Sequence, residues 1–195
     1  MSLPFNEDTF IEAEFLRLRD KYKLTTAVET GTNYGSTTVW LAKNFNRTIS
    51  CDLNHELIKF CVKRFSDEGV EVDLFHGSSE QVLDYVIPHR KIGDDTVFFL
   101  DAHWNAYCPL FDELETIARH NLLPVIVIHD FKVPDTNLGF DCYNNQEYTL
   151  EWIKPVLDKI YSHKNCGYEY YYNTPEKACG ALRGVIYIVP KQQIS

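Results

Sequence analysis

Between residues 25 and 130 the chain repeatedly alternates a short β-favouring run with a stretch of helical periodicity, and few folds accept that rhythm. The runs are TTAVET (25–30), TISCDL (48–53), VEVDLFHG (70–77), DTVFFLDA (95–102) and PVIVIHD (124–130). Between them, STTVWLAKNF (36–45) and HELIKFCVKRF (55–65) read as helices. The second places Leu57, Ile58, Cys61, Val62 and Phe65 on one face. Ser78 and Gln81 have the spacing of a capping box for a helix through Val82, Leu83 and Val86. Leu110, Phe111, Leu114, Ile117 and Ala118 mark the next helix. Such alternation builds a parallel sheet with crossover helices, and the apolar run at 95–102 suits a central strand covered on both faces.

The rhythm loosens after residue 130. Residues 131–146, FKVPDTNLGFDCYNNQ, are rich in turn-formers and long for a connection, which predicts a lid or substrate loop. A helix over 149–162 follows, with Pro155 either kinking it or sitting in its first turn. YEYYYN (168–173) and GVIYIV (184–189) have no helix between them and should pair as an antiparallel hairpin. Phe10, Ile11, Phe15 and Leu18 give residues 1–24 the character of a helical extension ahead of a single domain spanning 25–195. The expected fold is α/β: a doubly wound, Rossmann-like sheet of about seven strands, mostly parallel, closed by a C-terminal antiparallel hairpin, with helices on both faces.

Composition narrows the function classes. A net charge of −9 opposes a partner held through phosphates, so nucleic acid is not expected. No stretch approaches the ~18 apolar residues of a membrane helix, and the start lacks the basic-then-apolar order of a secretion signal. The six cysteines form no metal-ligand spacing and read as free thiols in a reducing, cytoplasmic setting.

Ligands of doubly wound sheets sit at the carboxyl ends of the strands, where this sequence places Glu29, Asp52, Asp101 and Asp130. Four carboxylates gathered at one edge repel one another unless a cation or a hydrogen-bonding ligand lies among them. The first strand–helix junction, ETGTNYGS, carries Gly31 and Gly35. Its spacing fails the G-x-G-x-x-G dinucleotide fingerprint. It reads instead E-x-G-x-x-x-G, with Asp52 ending the next strand, where an acid can chelate two ribose hydroxyls.

VETGTNYGST, ISCDL, LFHGSS, VFFLDAHW and VIVIHDF, taken in order, resemble the successive motifs of class I S-adenosylmethionine-dependent methyltransferases, within them the small O-methyltransferase-like branch. The resemblance implies that Gly31, Thr32, Asn33 and Gly35 wrap the methionine part of S-adenosylmethionine, with Glu29 beneath the loop and Ser36 opening the helix. It implies that Asp52 holds the ribose, that Leu53 lies along the adenine, that Ser78 and Ser79 reach the adenine edge, and that Asp101 faces the sulfonium.

Methyl transfer to a hydroxyl needs alignment and loss of a proton. Two devices are at hand: His103 in DAHW as a base, with Asp101 beside it, or a Mg²⁺-like divalent ion held by Asp101, His129 and Asp130. Trp104, Tyr107, Phe131, Phe140 and Tyr143 are the candidate contacts for a small-molecule acceptor, a sugar or secondary product. A metal-dependent hydroxylase or hydrolase on the same sheet, and a non-catalytic nucleoside-binding protein, stay open on the residues alone, as does a homodimer.

Overall fold

The computed structural model describes residues 3–103, 107–162 and 166–191. Helix α1 (Thr9–Tyr22) leads into β1 (Thr26–Thr30), α2 (Ser36–Asn44), β2 (Arg47–Asp52), α3 (His55–Glu68), β3 (Asp73–His76), α4 (Ser79–His89), β4 (Thr96–Leu100), α5 (Leu110–Arg119) and β5 (Val125–Ile128). A small ribbon of β6 (Cys142–Tyr143) and β7 (Gln146–Glu147) precedes α6 (Leu150–Ser162), β8 (Tyr168–Tyr172) and β9 (Ile186–Pro190).

Seven strands make one sheet in the order β3-β2-β1-β4-β5-β9-β8. The pairs from β3 through β5 are parallel, and β9 runs antiparallel to both its neighbours, β5 and β8. The strand order reverses between β1 and β4, and that switch point opens the crevice in which such sheets bind ligands.

Residues alternate between the two faces with a period of two. Val28, Phe98, Leu100, Ile126, Ile128, Ile186 and Ile188 join one buried cluster with side chains of α4, α5 and α6. Ala27, Val97, Phe99, Val125, Val127 and Tyr187 join the other with α1 and α2. Burial of each such large side chain stabilises the fold by about 1.5–3 kcal/mol. Both faces are therefore dry, which is why β4 and β5 carry no exposed residue.

Phe5 and the buried face of α1 are part of this core. Ile11, Phe15 and Leu18 of α1 are buried, and Phe5 packs its ring 5.0 Å from Phe15, 5.1 Å from Trp40 and 5.4 Å from Phe99. Phe10 falls outside the buried face, under the Lys177 ammonium. Phe5, Asn6 and Glu7 all adopt left-handed backbone, with φ of 49°, 53° and 72°. Such conformations cost about 1–3 kcal/mol each and persist only where surroundings enforce them. Here the Phe5 amide bonds Thr37 Oγ1, and the carbonyl of Asn6 accepts from Ala181 N. Asp8 caps α1 by accepting from the amides of Phe10 and Ile11.

Other local expectations need correction. Ser78 stands at the N-cap of α4 but makes no capping bond, so the proposed box with Gln81 does not close. Pro155 sits inside α6, past its first turn. The 131–146 segment is tied along its length: Phe131 N bonds Gly184 O, Lys132 N bonds Tyr148 O, and Asp141 N bonds Asp130 O. Val133 and Leu138 are buried. The segment, which the sequence predicted as a lid or substrate loop, packs beside β5 and carries Asp141 and Tyr143.

Candidate functional site

The crevice is built first by the turn after β1. Gly31 has φ +84°, and a Cβ placed on it would lie 2.8 Å from the backbone oxygen of Asp101. The β1 and β4 exits meet there too closely for any side chain. Gly35, at the N-cap of α2, has φ +77° and no room for a Cβ against Phe65. The amides of Gly31 and Thr32 bond the Cys51 carbonyl, tying the loop to β2.

Glu29 braces the loop from below. Its buried carboxyl accepts from Ser50 Oγ and Thr38 Oγ1, each at 2.5 Å, and Ser50 Oγ lies 2.7 Å from Thr32 Oγ1. Burial pushes this carboxyl up to about 8; the two hydroxyls oppose the rise, while Asp101 and Asp52 add to it. Asp52 takes its place at the end of β2 by accepting from Asn33 N at 2.7 Å and Asn54 N at 2.8 Å. Both bonds use backbone donors, so its orientation is set before any ligand arrives.

Two lobes adjoin at Gly31, Asp52 and His103. The smaller, about 420 Å³, lies between Leu53, Ser78, Ser79, Glu80 and Tyr107. The larger, about 1120 Å³ and open to solvent, runs past Thr32, Asn33, Asp101 and Asp130 to Leu3 and Asn6. Ser78 Oγ and Glu80 Oε2 are buried and lack a hydrogen-bond partner. Buried polar atoms left without partners are costly. Beneath this lobe Glu113, on α5, is fully buried, and burial raises its carboxyl to about 7 against the opposing influence of Ser79 and Thr30. An adenosine with ribose hydroxyls would supply the missing partners, and Gly31 leaves a cradle for an amino-acid tail. These residues fit S-adenosylmethionine.

The other side of the crevice is a chain of charges. His129 is buried, with Nδ1 3.1 Å from Asp101 Oδ1 and 3.2 Å from Asp130 Oδ1. Burial would lower its pKa, but the two carboxylates outweigh that and raise it well above the usual histidine value. Asp130 is held below the usual carboxylate range: burial opposes ionisation, and His129 and then Arg183 overcome it. Arg183 donates from Nε to Asp130 and from Nη2 to Asp141. Tyr143 OH donates to the second Asp141 oxygen at 2.9 Å. His103 is exposed at the mouth, with a ring nitrogen within 4.8 Å of carboxylate oxygens of Asp130 and Asp141.

The expected metal ligands Asp101, His129 and Asp130 do converge, within 4.8 Å of one another. They do not fit a Mg²⁺-like ion as they stand, because the Arg183 guanidinium already engages Asp130 and Asp141. An ion demanding near-octahedral oxygen ligation would have to take Asp130 from it.

The loop residues expected to meet a cofactor, Glu29, Gly31, Thr32, Asn33, Gly35 and Ser36, together with Asp52, Asp101, His103 and Asp130, line the larger lobe or support its floor. Leu53, Ser78 and Ser79 line the smaller. One acceptor contact needs correction. Phe131 is fully buried, its ring 6.2 Å from that of Tyr172, and touches no cleft. Tyr107 lines the smaller lobe together with His103 and bonds Asp112. Tyr143 stays near the mouth, its ring 6.2 Å from that of His103. Phe140 is half-buried under the Lys132 ammonium, and Trp104 lies outside the described residues. Unforeseen were Arg183, Asp141, Glu80, Glu113 and the amino-terminal Leu3 and Asn6. Glu113 alone left a signal, a charge on the apolar face of α5 between Leu110 and Leu114.

The sequence matches no protein-family model and no curated protein. Solved structures do match. An O-methyltransferase from Bacillus cereus in complex with SAH shares 17% identity at a TM-score of 0.65, covering 97% of this chain and 84% of that one. The Streptomyces achromogenes O-methyltransferase TomG, in complex with SAM, shares 13% at 0.62, covering 93% and 80%. An rRNA methylase from Streptococcus thermophilus shares 16% at 0.61, covering 95% and 98%. The chain has the fold of the class I S-adenosylmethionine-dependent methyltransferases.

Proposed function

We propose that the chain is an S-adenosylmethionine-dependent methyltransferase whose acceptor is a hydroxyl of a small molecule. The observation that carries this reading is the two-lobed crevice at the β1/β4 switch point. Its floor abuts Gly31 against Asp101 with no space for a side chain, and its smaller lobe holds unpartnered Ser78 and Glu80 oxygens. S-adenosylmethionine, when bound, supplies an electrophilic methyl group on a cationic sulfur.

The chain's own residues do the rest. The α2 N-terminus and the Gly31 loop receive a carboxylate, Asp52 takes the sugar, and Asp101 offers negative charge where the sulfonium would lie. His103, at the mouth, is the candidate base for the acceptor hydroxyl, taking its proton as the oxygen attacks. Carboxylate oxygens of Asp130 and Asp141 lie within 4.8 Å of one of its ring nitrogens. No step runs through a metal, since Arg183 occupies the acids that would bind one.

Among the neighbours is an rRNA methylase, which raises RNA as an acceptor. The net charge of −9 and the carboxylates at the mouth oppose a polyanion there. Calorimetry with S-adenosylmethionine and its demethylated product, followed by transfer of a labelled methyl group to a panel of small hydroxylated acceptors, tests the proposal. Binding of both nucleosides, weakened about 10- to 100-fold in Asp52→Ala, is expected. Binding of NAD with no response to either sulfur compound would reject it.

A further inference from the structure

Two carboxylates, those of Asp130 and Asp141, come together beside His103 at the mouth of the crevice, and the chain brings its own cation to them. Asp130 and Asp141 come together because the backbone of the 131–146 segment returns to β5, with Asp141 N bonded to Asp130 O. Arg183 arrives from the connection between β8 and β9, and its main chain is fixed there. Its carbonyl accepts from Asn173 Nδ2 at 2.8 Å, and it forms a backbone bridge with Gly139. A Cβ on Gly139 would lie 2.9 Å from Arg183 Nη1, so the absence of a side chain at 139 gives the guanidinium its seat.

From that seat the planar fork reaches one oxygen of each acid, Asp130 Oδ1 through Nε and Asp141 Oδ1 through Nη2. Tyr143 OH covers Asp141 Oδ2, and His129 Nδ1 faces Oδ1 of both Asp101 and Asp130. Both oxygens of Asp141 and Oδ1 of Asp130 are thus turned towards donors. Arginine keeps its charge at any pH the fold survives and its fork suits paired carboxylates, so it is not displaced by deprotonation.

We propose that Arg183 is a resident counter-cation: it fills the place of a divalent ion in the His103/Asp130/Asp141 cluster, so that the native protein does not take Mg²⁺ or Mn²⁺ there. It acts as a positioning residue, holding Asp130 and Asp141 beside His103. Removing its charge turns the cluster into a divalent-ion site. The inference stands on the geometry of the cluster and not on methyl transfer, so its test reads ion binding directly.

The probe is Mn²⁺ alone, followed by calorimetry and by its paramagnetic resonance signal, on the full chain. The native protein is expected to show no Mn²⁺ binding that Asp130→Asn abolishes at concentrations up to about 1 mM. Arg183→Met is expected to gain binding with a dissociation constant of about 0.1 mM or tighter, lost again in Arg183→Met/Asp130→Asn. Arg183→Lys keeps the charge and should show no gain. Native binding of Mn²⁺ that Asp130→Asn removes would overturn the proposal, and that measurement needs no folded Arg183 variant. So would a folded Arg183→Met protein that binds no more Mn²⁺ than the native chain.

Discussion

The two sides of the crevice are built by opposite means. On the β1/β2 side, Glu29, Thr32, Ser50 and Asp52 are fastened by hydroxyls and backbone amides within about one βαβ unit. Glu29 is uncharged below about pH 8, and Asp52 faces backbone donors. On the β4/β5 side, Asp101, His129, Asp130, Arg183 and Asp141 form an alternating row of charges, with Arg183 53 residues from Asp130. A locally braced surface suits a ligand whose shape is fixed. A charged row, whose members answer one another, suits a place where a proton must move while the net field stays constant.

Substitutions on either side should separate the two. Gly31→Val should have the largest effect. Its side chain meets the Asp101 carbonyl and its φ is hostile to a β-branched residue, so stability should fall by about 1–3 kcal/mol. Nucleoside binding should vanish in calorimetry. His103→Ala touches only the charged side: turnover should drop by about 10²–10⁴-fold while affinity for the demethylated cofactor product stays near native. A matching loss of affinity would move His103 to the other side of the comparison. Asp52→Ala should weaken the nucleoside about 10- to 100-fold with the reaction rate at saturation little changed.

The smallest effect is one of pH. The Glu113 carboxyl is raised in the folded chain to about 7 from an ordinary value of 4.5. Below 4.5 both folded and unfolded forms are protonated, and burial carries no ionisation penalty. As the pH rises from there towards 7, the unfolded chain ionises first and stability is lost. Glu113→Gln lacks that slope. Relative to native, it should gain on the order of 2–3 kcal/mol between pH 4.5 and pH 8 in denaturant melts. A constant difference across that range would mean Glu113 ionises normally.

The same contrast explains what could be read from the sequence. The β1/β2 side is local: E-x-G-x-x-x-G and the acid ending the next run lie within one crossover, and periodicity fixes which strand end each residue occupies. Asp101, His129 and Asp130 were placed for the same reason, each following an apolar run. What the runs could not reveal was the answer to their charge. Arg183 sits in an unpatterned connection, and only the insertion of β9 beside β5 carries it to Asp130. Phe131 misled because a turn-rich segment looked like a loop. Its amide bonds Gly184 O, and its side chain joins Ile126 and Ile128 in the core.

The left-handed turn at Phe5–Glu7 has a consequence for how the molecule is made. Leu3 and Asn6 wall the larger lobe, yet Asn6 and Asp8 are fastened to Ala181 and Cys179, more than 170 positions later. During synthesis at the ribosome the segment around Asn6 and Asp8 must wait for the connection between β8 and β9 before it can settle. A nascent chain with every parallel strand in place still has an unfinished vestibule, which is completed only when the β8–β9 hairpin docks.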